Sequence, residues 1–139
     1  EVVTPLHESP DFVAMPVCAK EGDELAWIQW HHPYMQWDHS ELWSAGLAWN
    51  AAGRPHLLHP RCRAGGTGRS VWQPLYLRDG SLVYAMDDET APEADAGFWH
   101  IYRQHEEVCT RLTHGELEFG EPFWVAGERR IARNFLTKK

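Results

Sequence analysis

The chain has 139 residues, 43% of them hydrophobic and eight of them Trp, which is enough apolar material for the core of one globular domain. Its formal net charge of −7, without a basic stripe, disfavours nucleic acids and anionic membrane surfaces as partners. No run approaches the roughly 18 consecutive apolar residues of a membrane-spanning helix. Cys18, Cys62 and Cys109 show no Cys-x-x-Cys spacing, so we expect reduced thiols, with Cys18 and Cys109 buried in strands. This favours a cytoplasmic protein.

The first half of the chain predicts short strands separated by polar turns. Each apolar run is rich in aromatic and β-branched residues and is too short for a typical helix. A long connection over residues 31–39 follows the third run, and a Gly-rich stretch over residues 61–70 predicts a flexible loop. The predicted strands are Glu1–Leu6, Phe12–Ala19, Glu24–Trp30, Glu41–Ala48 and Arg54–His59.

The stretch Val71–Thr113 predicts a complete antiparallel unit of four strands. Its first two strands are joined through Asp79-Gly80, and Asp-Gly between apolar runs is a strong hairpin signal. The run Leu82–Met86 is apolar on both faces, as in a strand that is covered on both sides. The four strands are Val71–Leu77, Ser81–Met86, Gly97–Arg103 and Glu107–Thr113, and two more are expected over Glu121–Val125 and Arg130–Phe135.

A repeat relates these strands to one another. Pro16, Pro74 and Pro122 occupy matching places and are spaced 58 and 48 residues apart. A period of roughly 40–50 residues with four strands per unit is typical of a β-propeller. The sequence therefore predicts an all-β fold, part of a β-propeller, with two complete four-stranded antiparallel blades and partial blades at both ends. The predicted boundaries are 1–8, 12–60, 70–114 and 119–139. A propeller closes with about four to eight blades, so we expect a fragment of one propeller domain.

Several strings resemble one family of propeller proteins. Asp23–Trp43, and within it Trp30–Asp38, is similar to a blade of the prolyl oligopeptidase family, in its dipeptidyl/acylaminoacyl-peptidase branch. Gly97–Tyr102 and Phe119–Trp124 resemble the blades that follow. The resemblance implies that the propeller caps an α/β-hydrolase domain of the same parent chain, and that it gates the access of short peptides to a serine peptidase site.

The chain itself is expected to hold no catalytic residues. An α/β-hydrolase nucleophile requires a G-x-S-x-G turn, and the nearest string, Gly68-Arg-Ser-Val-Trp72, fails at its fifth position. We also expect no cofactor, because the loop Gly65–Gly68 lacks the Lys-Ser/Thr pair of a phosphate-binding loop.

Two connections hold the candidate binding residues. The first contains His31, His32, Asp38 and His39, which have the chemistry of metal ligands, but an ordered loop held by Trp37 packing and Asp38 hydrogen bonds explains them better, and we expect no metal. The second is an acidic loop with Asp87, Asp88, Glu89, Glu93 and Asp95, which is either a solvated loop or a contact for a cationic substrate terminus. The candidate substrate-binding residues are Trp37, Asp38, Asp87 and Asp88.

The function predicted from these features is that of a non-catalytic propeller portion of a serine peptidase. Two alternatives stay open: a TolB-type propeller that serves as a protein-interaction module, and a metal-dependent propeller hydrolase acting on small molecules. Exposed blade edges also predict self-association of the isolated chain.

Overall fold

The computed structural model describes residues 3, 5–8, 10–89, 96–121, 129 and 131, and this part of the chain contains strands and no helix. It accordingly offers no helix with the length and apolarity needed to cross a membrane. The strands are β1 (Phe12–Cys18), β2 (Glu24–Trp30), β3 (Glu41–Trp49), β4 (Pro55–Gly65), β5 (Arg69–Tyr76), β6 (Leu82–Asp88), β7 (Trp99–His105) and β8 (Val108–Arg111).

The strands form two four-stranded sheets in which each strand pairs with its neighbour in sequence. The first sheet has the order β1-β2-β3-β4 and the second β5-β6-β7-β8, and all pairs are antiparallel. Such a meander is the unit from which propellers are built. We call the two sheets the first and the second blade. The predicted fold class, part of a β-propeller with two complete blades, is confirmed.

The two blades carry the same irregularity at the same place, which supports the repeat read from the prolines. Met15 has a φ of 51° and Gln73 a φ of 58°, and each directly precedes its blade's proline, Pro16 or Pro74. The strand register shifts at both points, between Ala14 and Val17 and between Trp72 and Leu75. A bulge of this kind bends a strand and increases its twist. The third proline, Pro122, lies outside the described residues.

The main correction to the predicted strands concerns the join between the blades. The flexible loop expected over residues 61–70 is mostly strand, since β4 continues to Gly65 and β5 begins at Arg69. β4 keeps pairing with β3 along this length, with register shifts that absorb the mismatch and place Gly65 opposite Glu41. Only residues 66–68 form a turn. Even this turn is anchored, because Gly66 N donates to Ser40 O at 3.1 Å.

The hydrophobic core joins the two blades into one packed unit. Ile28 and Leu42 of the first blade pack in one cluster with Val71, Trp72 and Tyr84 of the second. The rings of Trp30 and Trp72 approach to 6.0 Å across the seam between the blades. Trp72, which is 5% exposed, thus helps to fill the space between the blades. Trp49, at the end of β3, is 64% exposed.

The expected burial of the strand cysteines is wrong. Cys18, Cys62 and Cys109 are all free and exposed. Cys18 lies in β1, Cys62 in β4 and Cys109 in β8, and each of these strands is at the edge of its sheet. An edge strand lacks a neighbour on one side, so its side chains keep more contact with solvent than those of β2, β3, β6 and β7.

The partial blades expected at the two ends fall mostly outside the described residues. Residues 1, 2 and 4 of the predicted strand Glu1–Leu6 are not described, nor are most residues of the strands predicted over 121–125 and 130–135. The end boundaries therefore stay predictions. One described contact reaches toward the last segment, because Gln73 Nε2 donates to Ile131 O at 3.1 Å and Ile131 packs against the core.

Candidate functional site

The candidate residues lie at one end of the two blades, which we call the loop edge. It consists of the β2–β3 connection (residues 31–40), the β4–β5 turn (residues 66–68) and the end of β6 (residues 87–89). Two backbone hydrogen bonds tie these parts together: Ser40 N donates to Arg69 O at 3.2 Å, and Glu89 N donates to Gly68 O at 3.0 Å. Antiparallel order explains the arrangement, since alternate connections of a meander return to the same end of the sheet.

Asp38 orders the turn that carries Trp37. Its Oδ2 accepts a hydrogen bond from Met35 N at 3.1 Å, while its own N donates to Met35 O at 3.0 Å. Side-chain to backbone bonds of this kind are how Asp stabilises a tight turn. The expected hydrogen bonding of Asp38 is confirmed. Trp37 is half-buried and Asp38 is exposed, and their part in binding a substrate stays a prediction.

The two adjacent histidines lie just beyond β2, and both approach the carboxylate of Asp11. His32 N donates to Asp11 Oδ2 at 2.8 Å, and His31 Nδ1 lies 3.8 Å from the same oxygen. His39 instead stacks on Tyr34, with ring centroids 4.9 Å apart. Within the described ranges, no three His, Cys, Asp or Glu side chains gather closely enough to hold a metal ion.

The β2–β3 connection is fastened to the second blade by two buried serines. Ser40 Oγ accepts a hydrogen bond from Val71 N at 2.7 Å and donates to Val71 O at 3.0 Å. Ser70 Oγ donates to Gln36 O, next to Trp37. Ser40 is 0% and Ser70 is 2% exposed, so these hydroxyls form part of the packed seam. Sequence reasoning missed both, because Ser40 lies at the end of a long connection and Ser70 follows a glycine-rich stretch, and a serine at either place is interpreted as a loop residue.

The two aspartates at the end of β6 have different surroundings. Asp88 Oδ2 forms an ion pair with Arg69 Nε at 3.0 Å. Asp87 Oδ1 is buried and has no hydrogen-bond partner among the described residues. Burial raises the pKa of Asp87, and the carboxylates of Glu89, Glu118 and Asp88 raise it further. Among the described residues, Asp87 thus has a buried carboxyl oxygen, Oδ1, without a hydrogen bond, whereas Asp88 is paired with Arg69. Glu93 and Asp95 lie outside the described residues.

Glu118 is a member of this acidic group that the sequence did not reveal. Its Oε2 accepts a hydrogen bond from Trp99 N at 3.0 Å, and Phe119 N donates to Trp99 O at 2.8 Å. Because β8 ends at Arg111, Glu118 and Phe119 lie beside the start of β7 and form hydrogen bonds with it in place of β8. Trp99 is paired with Asp87 in the β6–β7 register, so this contact brings Glu118 near Asp87. Asp87 and Glu118 are 31 residues apart in the sequence, so no local pattern predicts that they lie close together.

A serine–histidine contact at the opposite end of the second blade has a structural role. Ser81 Oγ lies 3.1 Å from His105 Nδ1, but it also accepts a hydrogen bond from Arg103 Nε at 3.0 Å. Arg103 in turn donates to Asp79 Oδ2 at 2.6 Å. Ser81 is fully buried, so its oxygen is not available to attack a substrate. The group fastens the Asp79-Gly80 hairpin to β7.

No family model matches the chain, and no curated protein matches it. Solved structures do. One described as a Mycobacterium tuberculosis puromycin-hydrolyzing peptidase is 33% identical over 89% of this chain, with a TM-score of 0.74. A puromycin hydrolase is 31% identical over 88% of this chain, with a TM-score of 0.70. A mutant of puromycin hydrolase in complex with PGG gives 31%, 88% and 0.71.

The chain spans 17% of the length of each of these proteins. An identity above 30% over almost nine tenths of this chain, together with the shared fold, agrees with the resemblance found in the blade strings. The chain is therefore similar, over most of its length, to one segment of puromycin-hydrolysing peptidases.

Proposed function

We propose that this chain is the non-catalytic propeller portion of a serine peptidase, in which it gates the access of short substrates to a catalytic α/β-hydrolase domain of the same parent chain. The observation that carries the proposal is the similarity to peptidase structures at 31–33% identity. The blade strings favour the dipeptidyl/acylaminoacyl-peptidase branch. The three free cysteines favour a cytoplasmic setting for the parent chain.

The loop edge is the surface that we assign to the substrate. Trp37, Asp38, Asp87 and Asp88 lie on its two connections, and Glu89 and Glu118 add negative charge around Asp87. A surface of one charge sign attracts ligands of the opposite sign. The substrate class that fits is a short peptide or an aminoacyl amide with a free, positively charged amine. Puromycin, which the solved relatives hydrolyse, has such an amine.

The test compares the 139-residue chain with the complete polypeptide that contains it. Aminoacyl and dipeptidyl chromogenic amides and puromycin are offered as substrates, and a fluorophosphonate reagent labels any activated serine. We expect turnover and labelling of the complete polypeptide, at a serine in a G-x-S-x-G turn outside this chain, and neither for the chain alone. Stoichiometric labelling of a serine within these 139 residues would overturn the assignment. A complete polypeptide that neither labels nor turns over would favour the interaction-module alternative.

A further inference from the structure

The β2–β3 connection belongs to the first blade in sequence, but its last residue is bound to the second blade. Ser40 exchanges two hydrogen bonds with Val71 through its hydroxyl group, at 2.7 and 3.0 Å, and its backbone N donates to Arg69 O at 3.2 Å. Its backbone oxygen accepts from Gly66 N at 3.1 Å. Four bonds thus attach one fully buried residue to the start of β5 and the turn before it.

Ser70 holds the other side of the Trp37–Asp38 pair. Its hydroxyl group donates to the carbonyl oxygen of Gln36, the residue immediately before Trp37, and lies 3.5 Å from Ser40 Oγ. The pair is therefore flanked by two attachments, one at residue 36 and one at residue 40. Both attachments lead to adjacent positions at the start of β5.

The same strand positions also determine where the acidic end of β6 lies. In the β5–β6 register, Ser70 is paired with Asp87 and Arg69 with Asp88. The β2–β3 connection is thus linked to Asp87 through Ser70, which bonds to Gln36 O and is paired with Asp87 in the sheet. Without the two hydroxyl groups, the spacing between candidates on different blades would depend on the two backbone hydrogen bonds of Ser40 and on apolar packing, which is not directional.

We propose that Ser40 and Ser70 are positioning residues that fix the β2–β3 connection relative to the acidic end of β6, so that the two form a single substrate-facing surface. This inference rests on the proposed function. Neither serine contacts the substrate; both act through the position of Trp37 and Asp38. A group that holds a binding surface in place contributes to substrate affinity, and its loss raises KM with little change in kcat.

The experiment uses the complete polypeptide and the variants Ser40→Ala, Ser70→Ala and Ser70→Thr. Hydrogen exchange of residues 36–39 measures attachment of the connection, and steady-state kinetics on an aminoacyl amide measure its effect. Ser40→Ala loses two side-chain hydrogen bonds and Ser70→Ala loses the bond to Gln36 O. We therefore expect faster exchange and a KM at least about tenfold higher for each alanine variant, with kcat nearly unchanged. Ser70→Thr keeps the hydroxyl group, so its exchange rate at residues 36–39 and its KM should be close to those of the wild type. If Ser40→Ala does not fold, Ser70→Ala and Ser70→Thr decide the matter.

Ser81→Ala is the matched control. Ser81 is also buried, and its hydroxyl group is also hydrogen-bonded, because it accepts from Arg103 Nε. It lies, however, at the opposite end of the second blade. It should lower stability without changing KM or exchange at residues 36–39. Unchanged exchange in the Ser40 and Ser70 variants, unchanged KM despite faster exchange, or an equal KM effect in Ser81→Ala would each overturn the proposal. Lack of turnover by the wild type would instead refute the proposed function, and exchange would still decide whether the serines attach the connection.

Discussion

Gly65 offers the sharpest test of how the two blades are joined, because its neighbour Gly66 provides a matched control. Both residues have positive φ, 96° at Gly65 and 99° at Gly66, so alanine is strained to a similar degree at either position. Their surroundings differ. A Cβ atom at Gly65 would lie 2.1 Å from Ser40 O and 2.9 Å from Val71 Cγ2, whereas a Cβ atom at Gly66 meets nothing within 4 Å.

The expected magnitudes follow from this difference. Gly66→Ala adds only backbone strain, which costs about 1–3 kcal/mol. Gly65→Ala adds the same strain and also displaces the Ser40 carbonyl, which accepts the Gly66 N–H bond and belongs to the attachment between the blades. Losing that bond and disturbing its buried neighbours costs about 2 kcal/mol more. We therefore expect Gly65→Ala to lower the free energy of unfolding by about 3–5 kcal/mol.

The assay is urea unfolding followed by tryptophan fluorescence, at one fixed protein concentration so that any self-association affects all variants equally. Equal destabilisation by Gly65→Ala and Gly66→Ala would refute the reasoning, because it would mean that Ser40 does not approach the backbone at Gly65. A smaller effect at Gly65 than at Gly66 would refute it more strongly.

Three further predictions concern charge and association. The pKa of Asp87 is raised in the folded chain, so its contribution to folding stability is present below the unfolded pKa and is lost as pH rises through the folded pKa. Asp87→Asn should therefore unfold at a higher urea concentration than the wild type at pH 7 and at the same concentration near pH 3. The pKa of Asp79 is lowered, mainly by the hydrogen bond from Ser81 N and further by Arg103, so its contribution to folding stability is present at neutral pH and is lost as pH falls below about 4. Asp79→Asn should remove this loss of stability at acid pH. A urea midpoint that depends on pH as in the wild type would contradict the prediction. The isolated chain should sediment as more than a monomer at micromolar concentration, because β1 is an edge strand that exposes Phe12 and Val13, and a cooperative monomer would contradict this.

The strands and their repeat could be predicted from the sequence, because both depend on local features. β2 matches its predicted bounds, Glu24–Trp30, and the Asp79-Gly80 signal gives the β5–β6 hairpin with Asp79 accepting from Ser81 N at 3.0 Å. The proline spacing located equivalent bulges in β1 and β5. The individual strands and turns depend on neighbouring residues, where period-2 patterning, turn chemistry and the fixed φ of proline act directly, and the repeat follows from comparing such local patterns along the chain.

The composition of the loop edge was decided only by the tertiary structure. The length of β4 depends on pairing with β3, and the exposure of the cysteines depends on which strands end at the edge of a sheet. Ser40 and Ser70 meet across 30 residues, and Glu118 reaches the start of β7 across 19. A side chain's role at such a site is determined by its neighbours in space, and the local sequence does not record them. By itself, the sequence determined which segments form strands and how they repeat, whereas packing one blade against the next determined which polar groups are buried, paired or left to meet a ligand.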